Sequence, residues 1–234
     1  MNNLNFDFEL LDIDGAVRET GEAAGFDRSD FLKKGAIAGG GLIAGAAMFG
    51  PYLDTAEAAI SRRKSKRNDI KILNFALTLE MLEAEFYRLA ETNNASGTNV
   101  QLQRYTEWVA GHERQHVRAL EAAIREQGGR AVRKPDFQFG DAVTDVARYR
   151  ATAQLLEDLG VRAYLGQASR ILQPALLKAA GSILATEARH ASWIRFLNAP
   201  AVADTPTDAL PAPRTFDKPA SERATLRKAG GFIN

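Results

Sequence analysis

Two short phrases in this 234-residue chain place an imidazole three residues after a carboxylate: Glu113-Arg114-Gln115-His116 and Glu187-Ala188-Arg189-His190. On a helix, residues three apart project to the same side, so each pair can hold one cation between a carboxylate oxygen and a ring nitrogen. Two more carboxylates stand in matching phrases, Leu79-Glu80 and Leu156-Glu157, each with a tyrosine seven residues after the glutamate, Tyr87 and Tyr164. Two turns of helix bring each tyrosine back to the face of its glutamate. The order is therefore Glu, Glu-x-x-His, Glu, Glu-x-x-His. Glu80 and Glu113 are 33 residues apart and Glu157 and Glu187 are 30 apart. This is the pattern of one helical hairpin written twice, and a pseudo-twofold axis between the copies would set two ions side by side. Glutamate is common enough that any one histidine has about a 7% chance of a Glu three before it. A single Glu-x-x-His says little; the ordered set of four says much more.

The elements that must position these residues are four long helices. Spacings of three and four give the buried stripes: Leu73, Ala76, Glu80, Glu83, Tyr87 and Ala90; then Thr106, Val109, Glu113, His116, Leu120 and Ala123; then Arg150, Ala153, Glu157, Gly160, Tyr164 and Gln167; then Ala180, Ile183, Glu187, His190, Ile194 and Leu197. Asn68 or Asp69 is expected to cap the first helix, which runs to Thr92. The Asn93–Gly97 stretch is a turn, and Thr98 with Gln101 reads as a capping box for a second helix ending near Gly128-Gly129. A connection with Pro135 and Gly140 leads to a third helix from Asp141 to Gly166, and Pro174 opens a fourth that ends near Leu197. No stretch of 68–198 alternates with period two, so no sheet is expected. The fold class is all-α: a four-helix bundle with one crossover connection.

Four carboxylates in a bundle core cannot stay ionised without partners, because desolvating each costs several kcal/mol. Two divalent ions would neutralise them, with Glu80, Glu113, His116, Glu157, Glu187 and His190 as ligands. The competing arrangement leaves the stripe wet, or pairs the acids with arginines such as Arg150 and Arg189. Glu83 shares the first stripe while its counterpart on the third helix is Gly160. It stands outside the six, as an extra ligand, a proton relay or a salt-bridge partner. Tyr87 and Tyr164 are the candidate catalytic residues. Either they hydrogen-bond the ligand carboxylates or they carry a transient radical, and the first role is preferred.

The 30 Lys and Arg against 29 Asp and Glu leave a net charge of +1, which excludes a strongly basic nucleic-acid binder. The chain has no cysteine, which excludes disulfides, thiolate metal sites and cysteine nucleophiles. Residues 1–60 read as an export signal with a long polar leading region: a basic flank, Arg28 to Lys34, an apolar run, Ala36–Gly50, and the small residues Ala56-Glu57-Ala58, with cleavage expected after Ala58. The flank is similar to a twin-arginine signal, with Ser29 where the second arginine would stand. An uncleaved membrane anchor and a Gly/Ala-rich segment of a soluble protein are the alternatives. Residues 61–67 form a basic linker, 68–198 the bundle, and 199–234 a Pro-rich extended tail.

These residues resemble the ferritin-like superfamily of dinuclear metal carboxylate proteins, whose signature is one Glu from each of two helices and Glu-x-x-His from each of the others. Within it the chain is similar to the exported ferritin-like or desiccation-related branch. That likeness rests on Leu79-Glu80…Phe86-Tyr87, Gly111-His112-Glu113…His116, Glu157 to Gly166, Glu187 to Ala191, and the tail Pro211-Ala212-Pro213…Phe216-Asp217-Lys218-Pro219…Phe232-Ile233. The resemblance implies a ferritin-like bundle with one crossover; the export signal makes the expected location periplasmic or otherwise extracytoplasmic, and a homo-oligomer is one option. It leaves the activity open, since some ferritin-like proteins oxidise iron and others reduce peroxides. Lacking cysteine, the chain has no fused rubredoxin donor like that of rubrerythrins, so sustained reductase turnover needs an external electron donor.

Carboxylate and imidazole ligands suit iron or manganese, with zinc as a structural alternative. Iron or manganese makes O2 or peroxide the expected small oxidant. A metal-free or structurally metallated stress-related scaffold is the second reading. The third comes from His112-Glu113-Arg114-Gln115-His116, which spells the zinc-peptidase phrase H-E-x-x-H. It would make His112 and His116 zinc ligands and Glu113 the base, and it leaves Glu187, His190 and both tyrosine phrases unexplained. In the bundle reading His112 is a bystander about 100° around the helix from the ligand stripe.

Overall fold

The computed structural model describes residues 60–199 and 210–233. The expected export signal, with its Ala36–Gly50 run and its cleavage point after Ala58, lies outside the described residues. Four long helices, α1 (Lys66–Thr92), α2 (Val100–Glu126), α3 (Val146–Ala168) and α4 (Pro174–Asn198), form the bundle. A short helix, α5 (Glu222–Ala229), follows in the tail. Helix α1 packs chiefly on α2 and α3 chiefly on α4, so the chain builds two hairpins joined by residues 127–145. Among the described residues there is no strand, only an isolated antiparallel bridge between Phe137 and Ile233. None of the described helices is long and apolar enough to cross a membrane.

Side-chain caps set the helix starts. Ser65 accepts from the Asn68 N–H (3.1 Å), Asn99 from Leu102 (2.9 Å) and Asp145 from Arg148 (2.8 Å). These differ from the expected caps by a few residues, because a neighbouring residue with the same hydrogen-bonding chemistry takes the role. Helices α1 and α2 end in the same way. Ala95 N–H bonds Ala90 and Asn94 N–H bonds Glu91; Gly129 N–H bonds Ile124 and Gly128 N–H bonds Arg125. This double closure needs a left-handed residue after the cap, supplied by Asn94 (φ 52°) and Gly128 (φ 74°).

Asp69 does something other than cap its own helix. Buried at the start of α1, it accepts from the backbone N–H of Leu172 (2.8 Å) and of Gln173 (3.2 Å), in the link between α3 and α4. Those are N–H groups at the start of α4, whose own cap residue Gln173 makes no side-chain cap bond. One hairpin thus caps the other. Asn74 ties down the crossover similarly, donating to the Arg130 carbonyl (3.1 Å) and accepting from Val132 N–H (2.8 Å).

The tail crosses α3 where Gly166 leaves room. Ala220 N–H bonds the Arg162 carbonyl (2.8 Å), and a Cβ at position 166 would stand 1.8 Å from the Ala220 carbonyl oxygen. Gln138 N–H then bonds the Phe232 carbonyl (2.8 Å), and Glu222 accepts from Ile60 N–H (2.9 Å). Gly166→Ala should release this strap. We expect faster hydrogen exchange at the Ala220 amide and a stability loss of about 1–3 kcal/mol, with α1–α4 keeping their helicity by circular dichroism.

Candidate metal centre

The six expected ligands come from the middle of the four helices and meet in the core. Glu80, Glu113, Glu157 and Glu187 have no exposed surface, and His190 is buried. His116 is the most open, with 12% of its side chain exposed. The residues fall into two overlapping sets, Glu80, Glu113, His116 and Glu187, and Glu113, Glu157, Glu187 and His190. Within each set the ligand atoms lie within 4.8 Å of one another. Glu113 and Glu187 belong to both, while Glu80 with His116 and Glu157 with His190 stand at the two ends.

Distances fix which ring nitrogen points inward. His116 Nδ1 is 3.1 Å from Glu80 Oε2 and 3.2 Å from both Glu113 Oε2 and Glu187 Oε1. His190 Nδ1 is 3.1 Å from Glu113 Oε1 and 3.3 Å from Glu157 Oε2. Yet His190 Nδ1, Glu113 Oε1, Glu157 Oε2 and both Glu187 oxygens lack any hydrogen-bond partner. Buried polar atoms that converge without bonding one another are costly for a fold to keep. A cation at the point of convergence satisfies all of them, and the donor set of carboxylate and imidazole is chemically right for it.

The electrostatics show the same strain from within. Burial, with Glu113 next, pushes Glu80 up to about 8. Burial and neighbouring carboxylates push Glu83 and Glu187 well above the usual carboxylate range. For Glu113 burial is overcome by the hydrogen bond with His116 and the nearby charge of His190, which hold it at about 2. For both imidazoles burial is likewise outweighed by the surrounding carboxylates, which raise His116 to about 12 and His190 to about 11. The protein alone therefore balances the centre with protons: two imidazoliums flank an ionised Glu113, and other carboxyls are pushed toward the neutral form.

Both expected tyrosines act across the bundle. Tyr87 of α1 donates to Glu157 Oε1 of α3, and Tyr164 of α3 donates to Glu80 Oε1 of α1 (2.5 Å). Each hydroxyl thus orients the end carboxylate of the opposite hairpin, and the pair cross-braces the centre. Tyr105 adds a second contact on one side, its hydroxyl 2.8 Å from that of Tyr87 and 3.3 Å from Glu157 Oε1.

Glu83 is buried with Oε2 unpartnered. Opposite it, a Cβ at Gly160 would come within 2.7 Å of Glu187 Oε2 and 3.3 Å of Glu83 Oε1. The missing side chain at 160 is what leaves room for both carboxylates. His112 is a correction to the sequence reading. It belongs to neither ion-holding set among the described residues, so the H-E-x-x-H arrangement is not formed. It is not a bystander either: its Nδ1 lies 2.8 Å from His190 Nε2, with the two rings nearly parallel. His112 holds His190 by its outer nitrogen, which leaves Nδ1 facing the carboxylates. A rotation of 100° from the stripe on α2 still reaches a side chain on α4, and single-helix periodicity does not register that.

The family model for the ferritin-like domain matches residues 68–199. The chain belongs to the ferritin-like domain family. No curated protein sequence matches it closely enough to count as a relative. The match spans all four long helices, so the ferritin-like fold and the buried Glu/His cluster coincide in one unit.

A pH dependence follows for the ferritin-like bundle in its metal-free form. Glu80, raised from 4.5 to about 8, contributes stability that is full below pH 4.5 and lost as pH climbs to about 8. His116 and His190, raised from 6.5 to about 12 and 11, contribute stability that is full below pH 6.5 and lost above it. Glu113 works oppositely, but only as pH falls from 4.5 toward 2. Metal-free Tm should therefore fall between about pH 6.5 and 9. The rise in Tm on adding Zn2+ should grow over the same window, because ligation displaces those protons. Scanning calorimetry across pH checks both, and Glu80→Gln should flatten the metal-free slope.

Proposed function

We propose that this ferritin-like protein is a dinuclear metal carboxylate protein working in redox chemistry on iron or peroxide. The observation that carries the reading is the pair of four-residue sets sharing Glu113 and Glu187. One ion would be held by Glu80 and His116, the other by Glu157 and His190, with the two shared carboxylates between them. Iron or manganese so held supplies one-electron changes of oxidation state toward O2 or peroxide, and carboxylate ligands favour the higher states of hard metals.

The chain's own residues supply the conditions. Full burial of the four glutamates excludes bulk water and strengthens each local interaction. Tyr87 and Tyr164 fix the end carboxylates, and His112 fixes His190. His116 lies on the more open side, which suits a small oxidant better than an organic substrate. An external electron donor completes a reductase cycle. We further propose that the protein works outside the cytoplasm, on the strength of the basic flank, apolar run and small-residue site within residues 28–58, and that it belongs to the exported desiccation-related branch, on the strength of the bundle phrases and the 211–233 tail.

Purified protein loaded with Fe(II) or Mn(II) should consume O2 or peroxide faster than a Glu80→Ala/Glu157→Ala double variant. Equal rates for both oxidants would leave the scaffold reading in its place. His190 and His112 separate as well. His190→Ala should remove at least one ion per chain by elemental analysis. His112→Ala should keep the stoichiometry and weaken affinity by roughly 10-fold, the usual size of an orienting hydrogen bond to a ligand.

A further inference from the structure

The two halves of the centre are related by sequence but surrounded differently. Eight residues before Glu113 stands Tyr105; eight before Glu187 stands Ala179. Six residues after Glu187 stands Trp193; six after Glu113 stands Ala119. On the Tyr164 side, Ala119 and Ala179 line an apolar cavity of about 60 Å³. On the Tyr87 side the same positions are filled by rings in contact. Tyr87 and Tyr105 have centroids 5.9 Å apart, and Tyr105 meets Trp193 edge-on at 5.2 Å. Tyr87 and Tyr105 have no exposed surface, whereas Trp193 is half-buried.

Trp193 is where this row of rings reaches solvent. It lines a groove of about 750 Å³ between α3, α4 and the tail. Arg162, Arg189, Arg214 and Lys228 line the same groove. Of its two acids, Asp158 is engaged by Arg195, so the groove presents excess positive charge. A ring easily oxidised by one electron thus sits at the wall of a basic groove, and two buried phenols connect it to Glu157.

We propose that Trp193, Tyr105 and Tyr87 form a one-electron relay between an anionic reductant in this groove and the metal centre. The proposal rests on the redox reading above and deepens it by naming the donor's class and entry point. Tyr87, the phenol bonded to Glu157, would give up one electron toward an oxidised metal held beside that carboxylate. The phenolic proton moves along the hydrogen bond it already donates, Tyr105 to Tyr87 or Tyr87 to Glu157. The electron vacancy passes to Trp193, and the reductant fills it by losing one electron. The proton then returns along the same bond. The net change is one electron from donor to centre, with no bond in the chain altered. Among the described residues Tyr164 has no such row behind it, so reduction enters from the Tyr87 side.

The absence of cysteine allows a single label: Arg189→Cys carrying a ruthenium polypyridyl group puts a photo-oxidant beside Trp193. The full chain is used, metal-free and zinc-loaded, since zinc itself has no redox chemistry. After flash oxidation of the label, transient absorption and electron paramagnetic resonance should show a tryptophan radical giving way to a tyrosyl radical. Trp193→Phe should abolish the tyrosyl signal. Tyr105→Phe should leave the tryptophan radical and stop there. Both substitutions keep a ring in place, and unchanged melting and zinc stoichiometry would confirm an intact bundle. Ascorbate should quench the tryptophan radical several-fold more slowly in 0.5 M salt or in Arg214→Glu/Lys228→Glu, as screened attraction requires. A tyrosyl radical of equal yield without Trp193, or none in the labelled parent, overturns the relay. Charge-independent quenching overturns the anionic donor. No arm uses iron, O2 or peroxide, so these failures are distinct from failure of the redox reading.

Discussion

Four carboxylates with no exposed surface share one small volume at the middle of this bundle, and most other features of the molecule can be derived from that constraint. Removing a carboxylate from water costs several kcal/mol even after relaxation. A fold that buries four must surround them with groups that are rigid, correctly aimed and compensating. Long helices provide the rigidity, since each carboxylate sits several turns from a helix end and cannot swing out by fraying. The tyrosine cross-brace supplies aim, because Tyr87 and Tyr164 each fix a carboxylate belonging to the other hairpin. Compensation is what the side chains alone supply least well: five buried polar atoms at the centre stay unpartnered. The same strain that weakens the metal-free fold is the affinity a cation would exploit, because binding energy and folding energy are linked in such a site.

The pseudo-twofold pattern explains the ligands, and its violations explain the rest. Glu83 faces Gly160 across the axis, so an extra carboxylate on α1 is accommodated by a missing side chain on α3. Counting from the shared carboxylates, His112 on α2 corresponds to Thr186 on α4, so only His190 gains a second imidazole. Tyr105 and Trp193 correspond to alanines. The two carboxylate–imidazole sets therefore match in their inner residues and in the tyrosines that brace them, and differ farther out. Had the surroundings matched too, both ends would respond alike to an oxidant or a donor. Four separate departures, at positions 83, 105, 112 and 193, give each end its own surroundings.

The sequence was legible where chemistry and helical period coincide. All six Glu and His positions could be placed because each lies on its helix's buried stripe, and the stripe needs only local geometry. The four long helices and the single long connection were legible for the same reason. The caps were readable only to within a few residues, since Ser65, Asn99 and Asp145 each sit beside other residues able to do the same work. Asp69 was visible as a helix-start residue, but its bonds to Leu172 and Gln173 depend on how the hairpins stack. His112 was hidden by the same limitation. Tyr105 lies on the four-residue row through Val109 and Glu113, so a signal existed; following rows of four beside the stripe of three and four would have found it. The short helix α5 was masked by the prolines before it, although Ser221 followed by Glu222 is a readable start.

The tail adds a last step to this logic. The end of the tail joins the core, with Ala229 buried in it and Leu226 and Phe232 packed against it, but residues 210–219 stay outside it, so their course over α3 calls for a reason beyond core burial. Gly166 gives up helical propensity, about 1 kcal/mol against alanine, to admit the Ala220 carbonyl. Arg162 is held by the tail as well, its guanidinium donating to the Lys218 carbonyl (3.1 Å) while its own carbonyl receives Ala220. Pro211, Pro213, Arg214 and Asp217 then form one wall of the groove that reaches Trp193. Proline restricts the backbone of that wall before anything binds, which lowers the ordering cost of a ligand seated against it. The strap and the glycine beneath it thus make sense together as the means by which an α-helical surface, convex by nature, acquires a concave face beside the aromatic end of the metal centre.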